Sequence, residues 1–167
     1  VDIYQGIAQS CDIYFYNVGA PKQKPEEPAN ADYVHYYDQG DTQTRHYFEG
    51  LGIDRIERYL KEAFGFGMQT GIEIADEEEG LVPNPKWLFQ SNLNEYWSVG
   101  DTINVSIGQG HLLCTPLQLL NGTVRIANSG TLWKPRLVKA LLDDEGNVVE
   151  EFKPVQLTPQ PITDQGL

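Results

Sequence analysis

Apolar residues recur at helical spacing in three parts of the chain. In the clearest, Leu117, Leu120, Val124 and Ala127 mark one side of a helix, and Gln118, Asn121, Arg125 and Asn128 mark the other. Its ends are specified as well. Thr115 suits the N-cap, Pro116 the first helical position, and Gln118 completes a T-x-x-Q capping box, with Gly130 as the stop. The pattern predicts a core helix. A second helix is predicted from Gly52 to Gly65, with Ile53, Ile56, Leu60, Ala63 and Phe64 on its inner side and a Glu57–Lys61 pair at i,i+4 outside. A third, weaker one ends near Gln9, with Ile3, Ile7 and Tyr4 on one face. Ser10-Cys11-Asp12 then interrupts before a new apolar run, Ile13 to Tyr16.

Between these stretches the pattern breaks. Asn17 to Glu49 is polar and aromatic with Pro21, Pro25 and Pro28, so a long loop or insertion at about 20–49 is expected. Met68 to Leu88 reads as connecting structure, because Pro83 and Pro85 exclude a long helix and Gly71-Ile72-Glu73-Ile74 only half alternates. Gly108 and Gly110 bracket Gln109, which calls for a tight turn or a close approach of another segment. After Leu132 to Pro135, a β-hairpin is expected from Arg136–Leu142 and Val148–Phe152, with Gly146 or Asn147 at positive φ in the turn. Gln156 to Leu167 reads as an extended tail. The fold class expected from these elements is mainly α with a β-hairpin.

Composition narrows the class. The 167 residues suit one domain, and 24 acidic against 12 basic side chains leave a net charge of −12. Such a surface repels phosphate backbones, so non-specific nucleic-acid binding is excluded as a role. No apolar run in these residues is long enough to span a bilayer, and no stretch of them reads as a signal peptide. The chain opens Val1-Asp2-Ile3 within what reads as a helix, and Met68 is the sole methionine, so a piece of a longer protein is expected. Cys11 and Cys114 form no C-x-x-C pair and are expected to be free and buried.

Candidate chemistry is sparse. Ser10 and Asp12 carry short oxygens that favour helix caps. His35 and His46 lie among Asp32, Asp38 and Asp41, but without a recognisable ligand spacing, so surface scatter is favoured over a metal site. Tyr33, Tyr36, Tyr37 and Tyr47 offer a weak hint of a partner surface. The acidic run Asp76 to Glu79 invites a carboxylate-dependent hydrolase reading through Glu78. Four adjacent acids cannot all face one cleft, and a solvated turn is favoured.

Several segments carry a resemblance that the patterns alone do not. The run GDTIN, SIGQG, TPLQL from Gly100 to Leu120 closely resembles a segment of class B penicillin-binding proteins, the transpeptidases that cross-link bacterial peptidoglycan. LGIDRIERYLKEAFGFG and TGIEIADEEEGLVP resemble two further passages of that family. QSCDIYFYNVG is similar to its second active-site motif, S-x-N, in the S-x-D form of the elongation type. The resemblance runs from Gln9 to about Phe152 apart from the insertion. It implies a partial transpeptidase domain over 1–167, drawn from an α/β serine β-lactamase-like fold with helices packed on an antiparallel sheet.

It also implies roles. Ser10 would be catalytic, relaying a proton to or from an amine, and Asp12 would be catalytic and substrate-binding where most relatives carry Asn. An ionised Asp only accepts hydrogen bonds, so its contact would be a donor on substrate or enzyme. Cys11 would point away from the cleft, and Gln109 would fix packing behind it. The family's nucleophile and base lie in S-x-x-K, and its substrate-anchoring strand carries K-T-G. Neither motif occurs in this chain, and Gln69-Thr70-Gly71 lacks the lysine. Both are expected in parts of a parent protein outside this sequence, with the piece inactive alone. No cofactor or metal is implied. The implied partners are peptidoglycan stem peptides, β-lactams and cell-wall elongation machinery. The implied location is the bacterial cytoplasmic membrane, facing the periplasm or cell exterior through an anchor outside this chain. Two rivals from other classes are a non-catalytic binding or sensor module of the same fold and the hydrolase.

Overall fold

A computed structural model describes residues 2–20, 50–91 and 95–157. They form two compact units, Val1–Ile56 with Asn84–His111, and Glu57–Pro83 with Leu112–Leu167. All but Ala20 of the expected insertion lies outside the described residues, as do His35, His46 and the tyrosines around them.

The first unit is helical. Helix α1 (Ile3–Ala8) starts at Asp2, whose carboxylate accepts from Gln5 N at 2.8 Å, and α2 (Asp12–Gly19) follows after a three-residue turn. Helix α3 (Gly52–Arg58) crosses the boundary between units. Helices α4 (Pro85–Ser91) and α5 (Val99–Ser106) complete the unit, with Ile56, Leu88 and Val105 in its core. The expected apolar face of α1 is not covered: Ile3, Tyr4 and Ile7 are exposed, and only Gly6 is buried.

Two helices depart from the sequence expectation. Connecting structure was expected up to Leu88, yet α4 begins at Pro85. A proline in the first turn loses no helical hydrogen bond, and Asn84 Oδ1 accepts from Trp87 N at 2.7 Å in the manner of an N-cap. GDTINVS forms α5, because Ser98 and Asp101 build a capping box: Asp101 Oδ2 accepts from Ser98 N at 2.7 Å, and Ser98 Oγ accepts from Asp101 N at 3.3 Å. The expected tight turn follows it, with Gly108 and Gly110 both at positive φ.

In the second unit the end of α3 widens into a π-helical turn, Tyr59–Ala63, on which Lys61 meets Glu57 at 2.7 Å as expected. Helix α6 (Pro116–Ala127) has the expected capping box, with Gln118 N donating to Thr115 Oγ1 at 3.1 Å and Thr115 N to Gln118 Oε1 at 2.9 Å. Its orientation is the reverse of the expected one. Gln118, Gly122 and Arg125 are the buried residues, while Leu119, Leu120, Val124 and Ile126 are exposed. Hydrogen bonds make this possible. Gln118 Nε2 donates to the carbonyls of Met68 and Glu79, both at 2.7 Å, and Arg125 Nε donates to Gly130 O at 2.8 Å. Gly122 lets Phe64 and Phe66 come against the helix. A buried polar group costs little when its partners are supplied, and Gln118 has three. The helix ends with Ser129, not Gly130, in the first left-handed position (φ 63).

Strand β1 (Leu132–Trp133) follows, and the expected hairpin is present as β2 (Ala140–Leu142) and β3 (Val148–Glu151), antiparallel with an irregularity between Leu141 and Leu142. Asp143 Oδ1 accepts from Glu145 N and Asn147 N, and Gly146 takes the positive φ. The start of the expected tail is instead β4 (Gln156–Leu157), paired antiparallel to β1 with Leu132 opposite Leu157.

Candidate active site

Ser10 and Asp12 flank the α1–α2 turn of the first unit. Gln9 caps α1, and Ser10 stands just past it in the left-handed region at φ 50. Two backbone bonds close the turn: Ser10 N donates to Ile7 O at 3.2 Å, and Cys11 N donates to Gly6 O at 2.9 Å. That pairing is a Schellman motif, in which glycine ordinarily fills the position Ser10 occupies. A side chain there costs about 1 kcal/mol relative to glycine.

The next helix starts at once. Cys11 is the N-cap of α2 and gives it no side-chain hydrogen bond, so Asp12 is the first helical residue. The capping role favoured by local sequence is therefore not observed for either residue: Ser10 lies after one helix and Asp12 inside the next. Both side chains are exposed, Cys11 is half-buried, and among the described residues neither Ser10 Oγ nor the Asp12 carboxylate has a hydrogen-bond partner. The turn thus presents one hydroxyl and one carboxylate, two residues apart, to solvent.

Behind the turn, α2 is set against α5. A Cβ on Gly19 would lie 2.1 Å from Ser106 Cβ, so only hydrogen fits, and the helices meet closely there. Ser106 Oγ turns back to donate to Ile103 O at 2.6 Å. Thr102, buried, accepts from Trp97 Nε1 at 2.8 Å through Oγ1. Burial pushes the Asp101 carboxyl up, but hydrogen bonds from Ser98 and the field of His111 outweigh it and hold the carboxyl below its usual range. The GDTINVS residues are thus the scaffold of α5. Gln109 does not pack as expected: its side chain is exposed, and among the described residues only its backbone N–H is used, donating to Asn104 O at 2.8 Å.

The remaining candidates resolve differently. In the acidic run, Glu77 binds the Thr70-Gly71 turn through its carboxylate, whereas Glu78 is exposed. Among the described residues no group of three or more His, Cys, Asp or Glu could hold a metal ion. Both cysteines are free thiols, and Cys114 is exposed where burial was expected. The second unit contains a cavity of about 630 Å³ lined by Lys61, Phe64, Met68, Asn121, Lys134 and Leu157 among others, and none of the candidate site residues reaches it. No described helix is long and apolar enough to cross a membrane.

The left-handed turn at Ser10 leaves no mark in the sequence, since serine gives no sign of that conformation. The S-x-x-D spacing at Ser98–Asp101 was a signal that could have found α5.

The family described as penicillin binding protein transpeptidase domain matches residues 1–167. The peptidoglycan D,D-transpeptidase MrdA of Salmonella typhimurium is 39% identical over 164 residues, covering 98% of this chain and 21% of its own. MrdA of Haemophilus influenzae is 34% identical over 158 residues, covering 95% and 19%. Among solved structures, penicillin-binding protein PBP2 of Helicobacter pylori, in complex with MreC, superposes with a TM-score of 0.58 at 30% identity, covering 81% of this chain and 19% of that one. The chain spans about a fifth of the length of the curated relatives it matches.

Proposed function

Because the chain belongs to the penicillin-binding protein transpeptidase domain family, of the PBP2 type, we propose that the protein carrying it is a serine D,D-transpeptidase of peptidoglycan. In this reading, 1–167 is part of the transpeptidase domain, with an insertion at about 20–49. The chain supplies the S-x-D part of the site as Ser10-Cys11-Asp12 and acts together with an S-x-x-K serine and a K-T-G strand that this sequence does not include. Alone, the 167 residues carry out no acyl transfer.

The steps follow from that division. The S-x-x-K serine attacks the carbonyl between two D-Ala residues of a stem peptide, with the motif's lysine as base. The C–N bond breaks, and the departing D-Ala amine takes the proton that the serine hydroxyl gave up, passed along by Ser10 Oγ. An amine of a second stem peptide then attacks the ester, loses its proton by the same path, and frees the serine with the cross-link formed. Asp12, an acceptor only, takes a hydrogen bond from a donor on the substrate or a lysine of the enzyme. β-Lactams acylate the same serine. By analogy with the PBP2–MreC complex, the parent binds an MreC-like partner. In this reading the partner belongs to the cell-wall elongation machinery, and the parent faces the cell wall from the cytoplasmic membrane through an anchor outside this chain.

The observation that carries the role of Ser10 is its hydroxyl, exposed and unpartnered among the described residues, on a turn that two backbone bonds hold in place. The test is to label the parent protein with a fluorescent penicillin on a denaturing gel. A covalent band is expected, lost when the S-x-x-K serine becomes Ala and weakened in Ser10→Ala. A folded parent that takes no label would point to a non-catalytic module of the same fold.

A further inference from the structure

We propose that Gly6 and Tyr14 are positioning residues for Ser10, an inference that rests on the proton-relay reading above. Gly6 is the buried residue of α1, while Ile3, Tyr4 and Ile7 around it are exposed. A Cβ on Gly6 would lie 2.8 Å from Cδ1 and 3.0 Å from Cγ of Tyr14, inside van der Waals contact, so the ring lies directly on the glycine backbone. With the rest of α1 exposed, this contact fixes where α1 lies on α2.

Gly6 acts a second time. Its carbonyl accepts from Cys11 N at 2.9 Å, the bond that closes the left-handed turn at Ser10. Tyr14 holds the other side: its backbone N–H donates to Cys11 O at 3.0 Å, and its ring packs edge-on against Phe15 with centroids 5.2 Å apart. Cys11 is therefore tied to Gly6 through its N–H and to Tyr14 through its carbonyl, and the Gly6–Tyr14 contact closes the loop. Ser10 is carried on that loop. Its hydroxyl has no side-chain partner of its own among the described residues to orient it, so its placement depends on the backbone beneath.

The three atoms nearest a Cβ on Gly6 are ring carbons of Tyr14, Cδ1, Cγ and Cε1, so the phenolic hydroxyl is dispensable for this role. The test uses the full-length parent and reads the rate of acylation by a fluorescent penicillin across pH, the non-covalent penicillin affinity, and a melting curve for each variant. Gly6→Ala and Tyr14→Ala are expected to slow acylation about tenfold or more, since small misplacements of a catalytic group cost rate steeply. Their affinity should be nearly unchanged, and their pH profiles should shift to the shape of Ser10→Ala. Tyr14→Phe should acylate like wild type. Should Gly6→Ala fail to fold, Tyr14→Ala and the rescue by Tyr14→Phe carry the result. Wild-type rates and profiles in folded Gly6→Ala or Tyr14→Ala, alongside a slowed Ser10→Ala, would overturn the positioning role and leave the relay reading standing. A Ser10→Ala protein that acylates like wild type would remove the relay reading itself.

Discussion

Glu77 holds Thr70 twice, its Oε1 accepting both the backbone N–H at 2.9 Å and the hydroxyl, while Oε2 accepts from Gly71 N at 2.9 Å. Thr70 is buried, so the carboxylate supplies partners to a residue that water does not reach freely. Burial pushes the Glu77 carboxyl up, but the Thr70 and Gly71 bonds outweigh it and hold the carboxyl below the ordinary 4.5. A folded pKa below the unfolded one gives stability that is present above the unfolded value and lost as pH falls through the folded one. Glu77→Gln should therefore lower the urea midpoint near neutral pH, and the gap to wild type should close as pH falls below about 4.5. A gap that persists unchanged at pH 3 would show that the charge contributes nothing.

Ser10 and Ser129 give a matched pair. Both stand at positive φ just past a helix, with the following N–H bonded back to the helix: Cys11 to Gly6 O, and Gly130 to Arg125 O at 2.8 Å. Replacing either serine by glycine should raise stability by about 1 kcal/mol, since glycine adopts that conformation without strain. Only Ser10→Gly should slow penicillin acylation of the parent. Equal effects of both changes on acylation would mean that the serine hydroxyl at 10 has no special part.

The meeting of α2 and α5 makes a third prediction. Gly19→Ala puts its methyl onto Ser106 Cβ and should cost about 1–3 kcal/mol, the range for overpacking. Ser106→Gly in the same chain should recover part of that loss, because two residues in contact are coupled. Chemical denaturation of the two single variants and the double variant measures the coupling. Simple additivity would show that the helices do not meet there.

Some of this was legible beforehand and some was not, for physical reasons. The Thr115–Gln118 box and the Glu57–Lys61 pair are local, with partners three or four residues apart, and both were readable. The helix over GDTINVS was hidden by the glycine turn at Gly108 and Gly110 that follows it, although Ser98 and Asp101 had the spacing of a cap. The burial of Gln118 was not readable, because its partners Met68 and Glu79 are 50 and 39 residues away in sequence. For the site, resemblance pointed to Ser10 and Asp12, but neither periodicity nor composition distinguishes a left-handed serine from a capping one.

The reversed setting of α6 inverts the usual tolerance map of a helix. In this chain, Gln118→Leu strands the Thr115 N–H and the Met68 and Glu79 carbonyls, and should cost about 3 kcal/mol, whereas Leu120→Gln on the exposed side should change stability by no more than about 0.5 kcal/mol. A ranking of variants by hydropathy alone would order them the other way. The same two changes made in the parent turn α6 into a gauge. If the penalty at Leu120 rises there while that at Gln118 stays fixed, the difference reports in free energy how much of the helix's oily side the larger protein covers.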